Sequence, residues 1–330
     1  MTELGISIGW SAREDIDRMV ALVGEAEAGG VDVCWVIDSQ LAMRDGFTLL
    51  AVLARETERV RLGPGVTNLL TRHETVVAST LATLEHLAPG RLLAGIGAGD
   101  SAVFPIGLRP QGIDDLRDGA VRLRALLSGS EVELDGSRIR LAAGAPPAPP
   151  VYLAASQPRM LALAGEVADG VIVMGPANPD AYRAQIGRIR DAAAVAGRRP
   201  EEVAIDLWVT MAVGNSAVDS VRSWASAQAR WLNRWQSLPA SLARFKPELE
   251  RAAARYDFAD HLSVSAEHAV EVPDELALQL AIAGPIEHCR ERLSEIVGIG
   301  ADRVTISLMS GGRERRLDDL LSVWEGVSTG

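Results

Sequence analysis

A short apolar run followed by an amphipathic run recurs eight times along the 330 residues of this chain, and that beat limits the fold more than any other feature. "LGISIG" (4–9) reads as a strand, and "REDIDRMVALVGEAEAGG" follows with apolar residues at helical spacing. It stops at Gly29-Gly30, a helix C-cap signal. Strand–helix pairs follow at "VDVCWVID"/"GFTLLAVLARETE", "VRLGPGV"/"ETVVASTLATLEHLAPG" and "RLLAGIG"/"IDDLRDGAVRLRALLSG". Then come "VYLAA"/"PRMLALAGEVA" and "DGVIVMG"/"PDAYRAQIGRIRDAAAVAG", the strand "VAIDLWVTMAV", the helix "PIEHCRERLSEIVGIG", and a last pair "DRVTISLM"/"ERRLDDLLSVWEGV". The beat breaks twice. "EVELDGSRIRL" (131–141) alternates about an Asp-Gly turn, which reads as a hairpin, and a Pro-rich linker follows it. From about Ser216 to Ala283 no convincing strand appears, and the segment reads as helical.

Eight βα units fit a closed (β/α)8 TIM barrel better than an open sheet. The strands are apolar without alternation, as expected where both faces are buried. The expected α/β architecture is one barrel domain over residues 1–330, with a small hairpin before strand five and a helical insertion or lid (216–283) after strand seven. In such barrels the active site lies at the C-terminal ends of the strands. Those ends carry Ser7, Gly9 and Trp10; Asp38, Ser39 and Gln40; Gly65 to Asn68; Gly97 to Asp100; Ala155, Ser156 and Gln157. They are small, polar and glycine-rich, which suits a flat aromatic ring lying against backbone.

Charge and composition narrow the function. Net charge is -11 and no basic stripe appears, which argues against nucleic acid and anionic membranes as partners. The N-terminus lacks a basic region followed by an apolar run, and no apolar run reaches the roughly 18 residues of a membrane span. A soluble cytoplasmic protein is expected. Cys34 and Cys289 read as buried structural thiols, and no Cys/His cluster points to a metal. His86 and His288 fall inside helices; His73 opens one, where it would cap or pack. "GIGAG" (95–99) follows the fourth strand rather than the first, so it is not a dinucleotide fingerprint. The polar loop "AASQPRM" (154–160) opens a helix, which suits either a phosphate site or a plain Ser N-cap.

"RLGPGVTNLLTRHETVVASTLATLEHLAPGRLLAGIGAGDSAVFPIG" resembles the core of the bacterial-luciferase-like superfamily. "LRDGAVRLRALLSG" and "PVYLAASQPRMLALAGEVADGVIVMGPANP" extend the likeness to the methylenetetrahydromethanopterin reductase branch, whose members use the deazaflavin coenzyme F420. The resemblance implies an F420-dependent oxidoreductase moving a hydride between the deazaflavin and a small organic substrate, acting as a homodimer. It implies a non-prolyl cis peptide at Gly65–Val66 behind the ring. Cofactor contacts are implied at Asp38, Gly65, Val66, Thr67, Asn68, Gly97, Ala98, Gly99 and Asp100, with the phosphate at Ser156 and Gln157. Asp38 and Asp100 are the implied catalytic acids. Ser7, Ser39, Trp231, Trp235, Phe258 and His261 are the candidate substrate residues.

Two positions depart from the relatives. Ser7 stands where the methanopterin reductases carry Glu, and Ser39 where the related sugar-phosphate dehydrogenases carry a proton-donating His. Both replacements remove a proton carrier. An FMN-dependent monooxygenase of the same superfamily and a barrel that only binds a ligand remain the alternative readings.

Overall fold

The computed structural model describes residues 1–235, 238–256 and 272–328. The chain runs β1 (Glu3–Ile8), α1 (Ile16–Ala28), β2 (Val33–Val36), α2 (Gly46–Glu56), β3 (Arg61–Pro64), α3 (Glu74–Leu87), β4 (Ala94–Ile96) and α4 (Ile113–Leu127). A hairpin follows, β5 (Glu131–Leu134) and β6 (Ser137–Arg140), then β7 (Val151–Ala155), α5 (Pro158–Val167), β8 (Gly170–Met174) and α6 (Pro179–Val195). Next come β9 (Ala204–Val209), β10 (Met211–Val213), α7 (Ala217–Leu232), α8 (Ala240–Ala243), α9 (Lys246–Arg255) and α10 (Asp274–Leu280). The chain ends with β11 (Ile282–Gly284), α11 (Ile286–Val297), β12 (Arg303–Leu308) and α12 (Arg313–Ser328).

Eight of these strands form one parallel sheet in the order β3-β2-β1-β12-β9-β8-β7-β4. The two end strands then meet through parallel bridges Leu62↔Leu92 and Thr67↔Ile96. The sheet closes on itself, and the fold is the expected (β/α)8 barrel. Burial on both faces is what the unalternating apolar runs require: β2 and β12 have no exposed residue. The hairpin turns on Asp135 and Gly136, both with positive φ (48° and 76°), the conformation an Asp-Gly two-residue turn supplies.

The segment after β9 differs in detail from the sequence reading. "VAIDLWVTMAV" is two strands, broken at Thr210, and β10 leaves the barrel to pair in parallel with β11. The strand β11 begins inside the stretch read as free of strands; at three residues it carries no periodicity to detect. The other described elements of 216–283 are helices, with α7 packed on α9 and α10.

Chain contacts fall into two compact units. One comprises Met1–Ile6, Val173–Ile186 and Asp206–Gly330. Its core holds a buried ionic cluster on three strands. Arg303 on β12 donates to Glu3 Oε2 of β1 at 2.8 Å and to Asp206 Oδ2 of β9 at 3.0 Å; Thr305 donates to Asp206 Oδ1 at 2.7 Å. Gly5 makes room for it, since a Cβ there would stand 2.2 Å from Thr305 Oγ1.

The second unit comprises Ser7–Ile172 and Gly187–Ile205. Its outer layers are tied by arginine and carboxylate. Arg91 reaches Ala54 O, Thr57 O, Thr57 Oγ1 and Val60 O, closing the C-terminus of α2. Arg122 of α4 forks onto buried Glu74 of α3. Glu27 of α1 accepts the backbone N–H groups of Glu58, Arg59 and Val60 ahead of β3. Burial alone would push the Glu27 carboxyl up; those three donors and Arg59 outweigh it and hold the group below its ordinary value.

Both cysteines are buried and unlinked. Burial pushes the Cys34 thiol up to about 12 and Cys289 to about 11, so both stay protonated at neutral pH. Among the described residues no helix is long and apolar enough to cross a membrane, and no group of three His, Cys, Asp or Glu side chains could hold a metal.

Candidate cofactor site

The second unit contains the strand ends that carry most of the expected site. Their shape starts from a crowded interior. The Trp35 ring, on β2, stands edge-on to Tyr152 with centroids 5.5 Å apart. A Cβ on Gly63 or on Gly95 would each approach Trp35 Cζ3 to 2.9 Å. Glycine at both positions is therefore a packing requirement: it lets a large ring lie across β3 and β4. A Cβ on Gly63 would also meet Leu93 O at 2.5 Å, so the two strands themselves come unusually close.

Beyond Pro64 the strand continues through Gly65–Val66, and that peptide is cis, at the position the resemblance implies. Gly65 N–H still donates to Val36 O at 2.7 Å. The ladder then resumes on the other side: Thr67 N–H donates to Gly95 O and Gly97 N–H to Thr67 O. Val66 turns its side chain toward β4, where a Cβ on Gly97 would meet Val66 Cγ2 at 2.8 Å and one on Gly95 would meet Val66 Cγ1 at 3.3 Å. "GIGAG" thus has a structural explanation. Gly95 and Gly97 accommodate Val66. Gly99 has φ +94°, and a Cβ there would also run into Val103 Cγ1 at 2.8 Å.

The polar groups converge next. Asp38, at the end of β2, is 5% exposed. Its Oδ2 accepts from Thr67 Oγ1 at 2.7 Å and from Arg72 Nε at 3.2 Å; Oδ1 accepts from Arg72 Nη2 at 3.4 Å. Arg72 also pairs with Asp45 and lies 4.9 Å from the Phe47 ring centre. Asp45 is the N-cap of α2 and accepts from Thr48 N at 2.8 Å. Burial pulls the Arg72 guanidinium down, but the two aspartates outweigh this and hold it above its ordinary value. Burial likewise raises the Asp45 carboxyl, while the Thr48 amide and Arg72 pull it lower overall. Sequence reading placed Asp38 and Thr67 in the site but gave Arg72 no part in it.

The remaining positions occupy neighbouring loops. Asn68, buried, uses Oδ1 to accept from Leu70 N, Thr71 N and Thr71 Oγ1, shaping the turn that leads into α3. His73 caps that helix through Nδ1. Ser39 is fully buried and donates to Ser101 Oγ at 2.9 Å; Gln40 donates to Ala102 O at 2.7 Å. These two bonds fix the loop after β2 to the loop after β4. Ser101 was not singled out from sequence. Ala98 O accepts from Gln111 N, and Asp100 O accepts from the amides of Val103 and Phe104. Ser7 lies buried on β1.

After β7 the sequence suggested either a Ser N-cap or a phosphate site. The N-cap of α5 is Gln157, not Ser156, and its side chain makes no capping bond; Pro158 follows inside the helix. Ser156 precedes that start, where a helix N-terminus favours negative charge. Trp231 lies in α7 and Trp235 just past it, both half-buried in the other unit, while Phe258 and His261 fall outside the described residues.

Comparison with known proteins places this arrangement. The family model described as luciferase-like monooxygenase matches residues 2–303. The 5,10-methylenetetrahydromethanopterin reductase of Methanolobus tindarius is 29% identical over 311 residues, covering 90% of this chain and 91% of the relative. An F420-dependent glucose-6-phosphate dehydrogenase from Nakamurella multipartita is 29% identical over 290 residues, covering 79% of this chain and 85% of that one. The solved coenzyme F420-dependent tetrahydromethanopterin reductase of Methanopyrus kandleri superposes with a TM-score of 0.76 at 22% identity, over 97% of this chain and 98% of that one, and so shares the fold. The chain belongs to the luciferase-like monooxygenase family.

Proposed function

We propose that this chain is a coenzyme F420-dependent oxidoreductase acting on a small organic substrate. The observation that carries the reading is the conjunction, in one unit, of glycine-lined strand ends packed around Val66, the polar triad Asp38–Thr67–Arg72 and the start of α5 at Gln157. A flat ring and a phosphate need such parts. Two sequence relatives, matched over 90% and 79% of this chain, are named as a methanopterin reductase and an F420-dependent dehydrogenase.

When bound, the deazaflavin supplies hydride transfer; the protein orients it and excludes water. Gly65, Val66, Gly97 and Ala98 would form the ring support, with Gly99 and Asp100 on the same loop. Asp38, positioned by Thr67, and Asn68 would meet the ring's polar edge. Ser156, Gln157 and the start of α5 would hold the phosphate. Ser7 and Ser39 would face substrate. Ser39, bonded to Ser101, can pass a proton but is too weak an acid to be its source. The methanopterin reaction is not assigned to this chain, in which Ser7 stands where the resemblance implies a Glu.

The same reading makes residues 1–330 one functional domain, a cytoplasmic protein and a homodimer; light scattering at micromolar concentration tests the last. For the cofactor, the seven tryptophans give a signal. F420 and FMN are titrated separately into purified protein. Micromolar quenching by F420 is expected; a response to FMN with none to F420 overturns the proposal in favour of the monooxygenase reading.

A further inference from the structure

We propose that Arg72 is a positioning residue of the cofactor site, acting through Asp38. The inference rests on the reading of Asp38 as a ring contact. Asp38 is 5% exposed, and a carboxylate taken out of water is stable only when paired and hydrogen-bonded. Among the described residues its side-chain partners are two. Thr67 supplies one hydroxyl to Oδ2; Arg72 supplies Nε to Oδ2 and Nη2 to Oδ1. The guanidinium thus spans both oxygens. A planar fork fixes the plane of the carboxyl group, which a single hydroxyl cannot do.

Arg72 is itself held from two sides. Asp45 pairs with Nη2, and the Phe47 ring lies under the guanidinium at 4.9 Å. Both come from the start of α2, so the loop after β3 is clamped to that helix as well as to the end of β2. A side chain serving only as a clamp would need Asp45 alone. The fork onto Asp38 is additional, and it is aimed at the one buried acid among the expected ring contacts. Lysine could supply the charge but not the second contact.

The test measures F420 affinity by tryptophan quenching, with thermal unfolding recorded alongside, for Asp38→Asn, Arg72→Met and the double variant. Each single change is expected to weaken binding by roughly tenfold, the size of a lost charge-assisted hydrogen bond. The double variant is expected to bind no worse than Asp38→Asn, because the two act as one unit. Arg72→Lys is expected to recover part of the loss. Losses that multiply in the double variant overturn the proposal, as does Arg72→Met binding like wild type while Asp38→Asn does not. Should Arg72→Met fail to fold, Asp45→Asn loosens Arg72 from its other side: a smaller loss that vanishes in an Asp38→Asn background supports the proposal, and unchanged affinity contradicts it. If Asp38→Asn itself binds F420 as wild type does, the underlying assignment of the ring site falls, and this inference with it.

Discussion

Gly95→Ala puts the packing argument for the glycine-rich strand ends to a direct test. The added Cβ would stand 2.2 Å from Pro64 O, 2.9 Å from Trp35 Cζ3 and 3.3 Å from Val66 Cγ1. Carbon and carbonyl oxygen normally approach to about 3.3 Å, so β3 and β4 must separate by about 1 Å. They cannot do so freely, because the bonds from Thr67 N to Gly95 O and from Gly97 N to Thr67 O close the barrel there. Overpacking of this kind costs about 1–3 kcal/mol, and the reduced freedom of the unfolded chain offsets up to ~1 kcal/mol. With an unfolding entropy near 0.7 kcal/mol/K for a chain of this length, Tm falls by up to about 4 °C. Gly97→Ala meets only Val66 Cγ2, at 2.8 Å, and a side chain can turn aside. It should cost little stability while shifting Val66, so that F420 affinity drops more than Tm does. Gly24→Ala in α1 meets nothing within 4 Å and should raise stability by about 0.5–1 kcal/mol with affinity unchanged. Thermal unfolding and cofactor titration on the three variants decide the matter. A Gly95→Ala protein as stable as Gly24→Ala would refute the claim that these glycines exist to let Trp35 and Val66 in.

Gln157→Glu adds negative charge at the start of α5 and should weaken F420 binding, more at low salt than at high; affinity equal to wild type at both would remove the phosphate from that loop. Arg303→Met leaves Asp206 buried without its cation and should destabilise by about 3–5 kcal/mol in denaturant titration, whereas Thr305→Val, losing one bond to the same carboxylate, should cost about 1.5–3 kcal/mol. Equal costs would mean that the cluster is not organised around the ion pair. The Glu27 carboxyl is held below its ordinary value in the folded state, so its contribution is complete above about pH 4.3 and is lost as pH falls through the folded value. Glu27→Gln should therefore show a shallower acid limb in stability against pH, and an unchanged limb would assign that limb to other carboxylates.

The barrel was legible because its strands are bursts of buried apolar residues and its helices carry apolar stripes, signals confined to a few neighbouring residues. The strand β11 was not, since three residues cannot show a period. Pairings across long separations were equally invisible. Arg72 lies 34 residues from Asp38, and Ser101 lies 62 from Ser39. Nothing in the local sequence of "TRHE" or "GDSAV" says which acid or hydroxyl they will meet. Arg303 and Glu3 open their strands and Asp206 lies inside β9, ordinary charged residues until the closed sheet brings them together.

The glycines carry the most general point about the site. A run such as "GIGAG" invites a phosphate-loop reading because glycine is permissive, yet glycine serves two separate purposes here. Gly95 and Gly97 are two residues apart, the spacing of one strand face, and on that face a side chain would strike Val66. Gly99 comes after the strand has ended and adopts φ +94°, so its role is conformational as well as steric. Gly63 on β3 and Gly95 on the neighbouring β4 also leave room for one large side chain, Trp35 from β2. The glycine after the strand marks the turn into the loop that carries Asp100. Room for the proposed ring site and room for the protein's own core are thus set by adjacent residues. A substitution at Gly97 should accordingly disturb the site through Val66, without any contact between residue 97 and the cofactor being required.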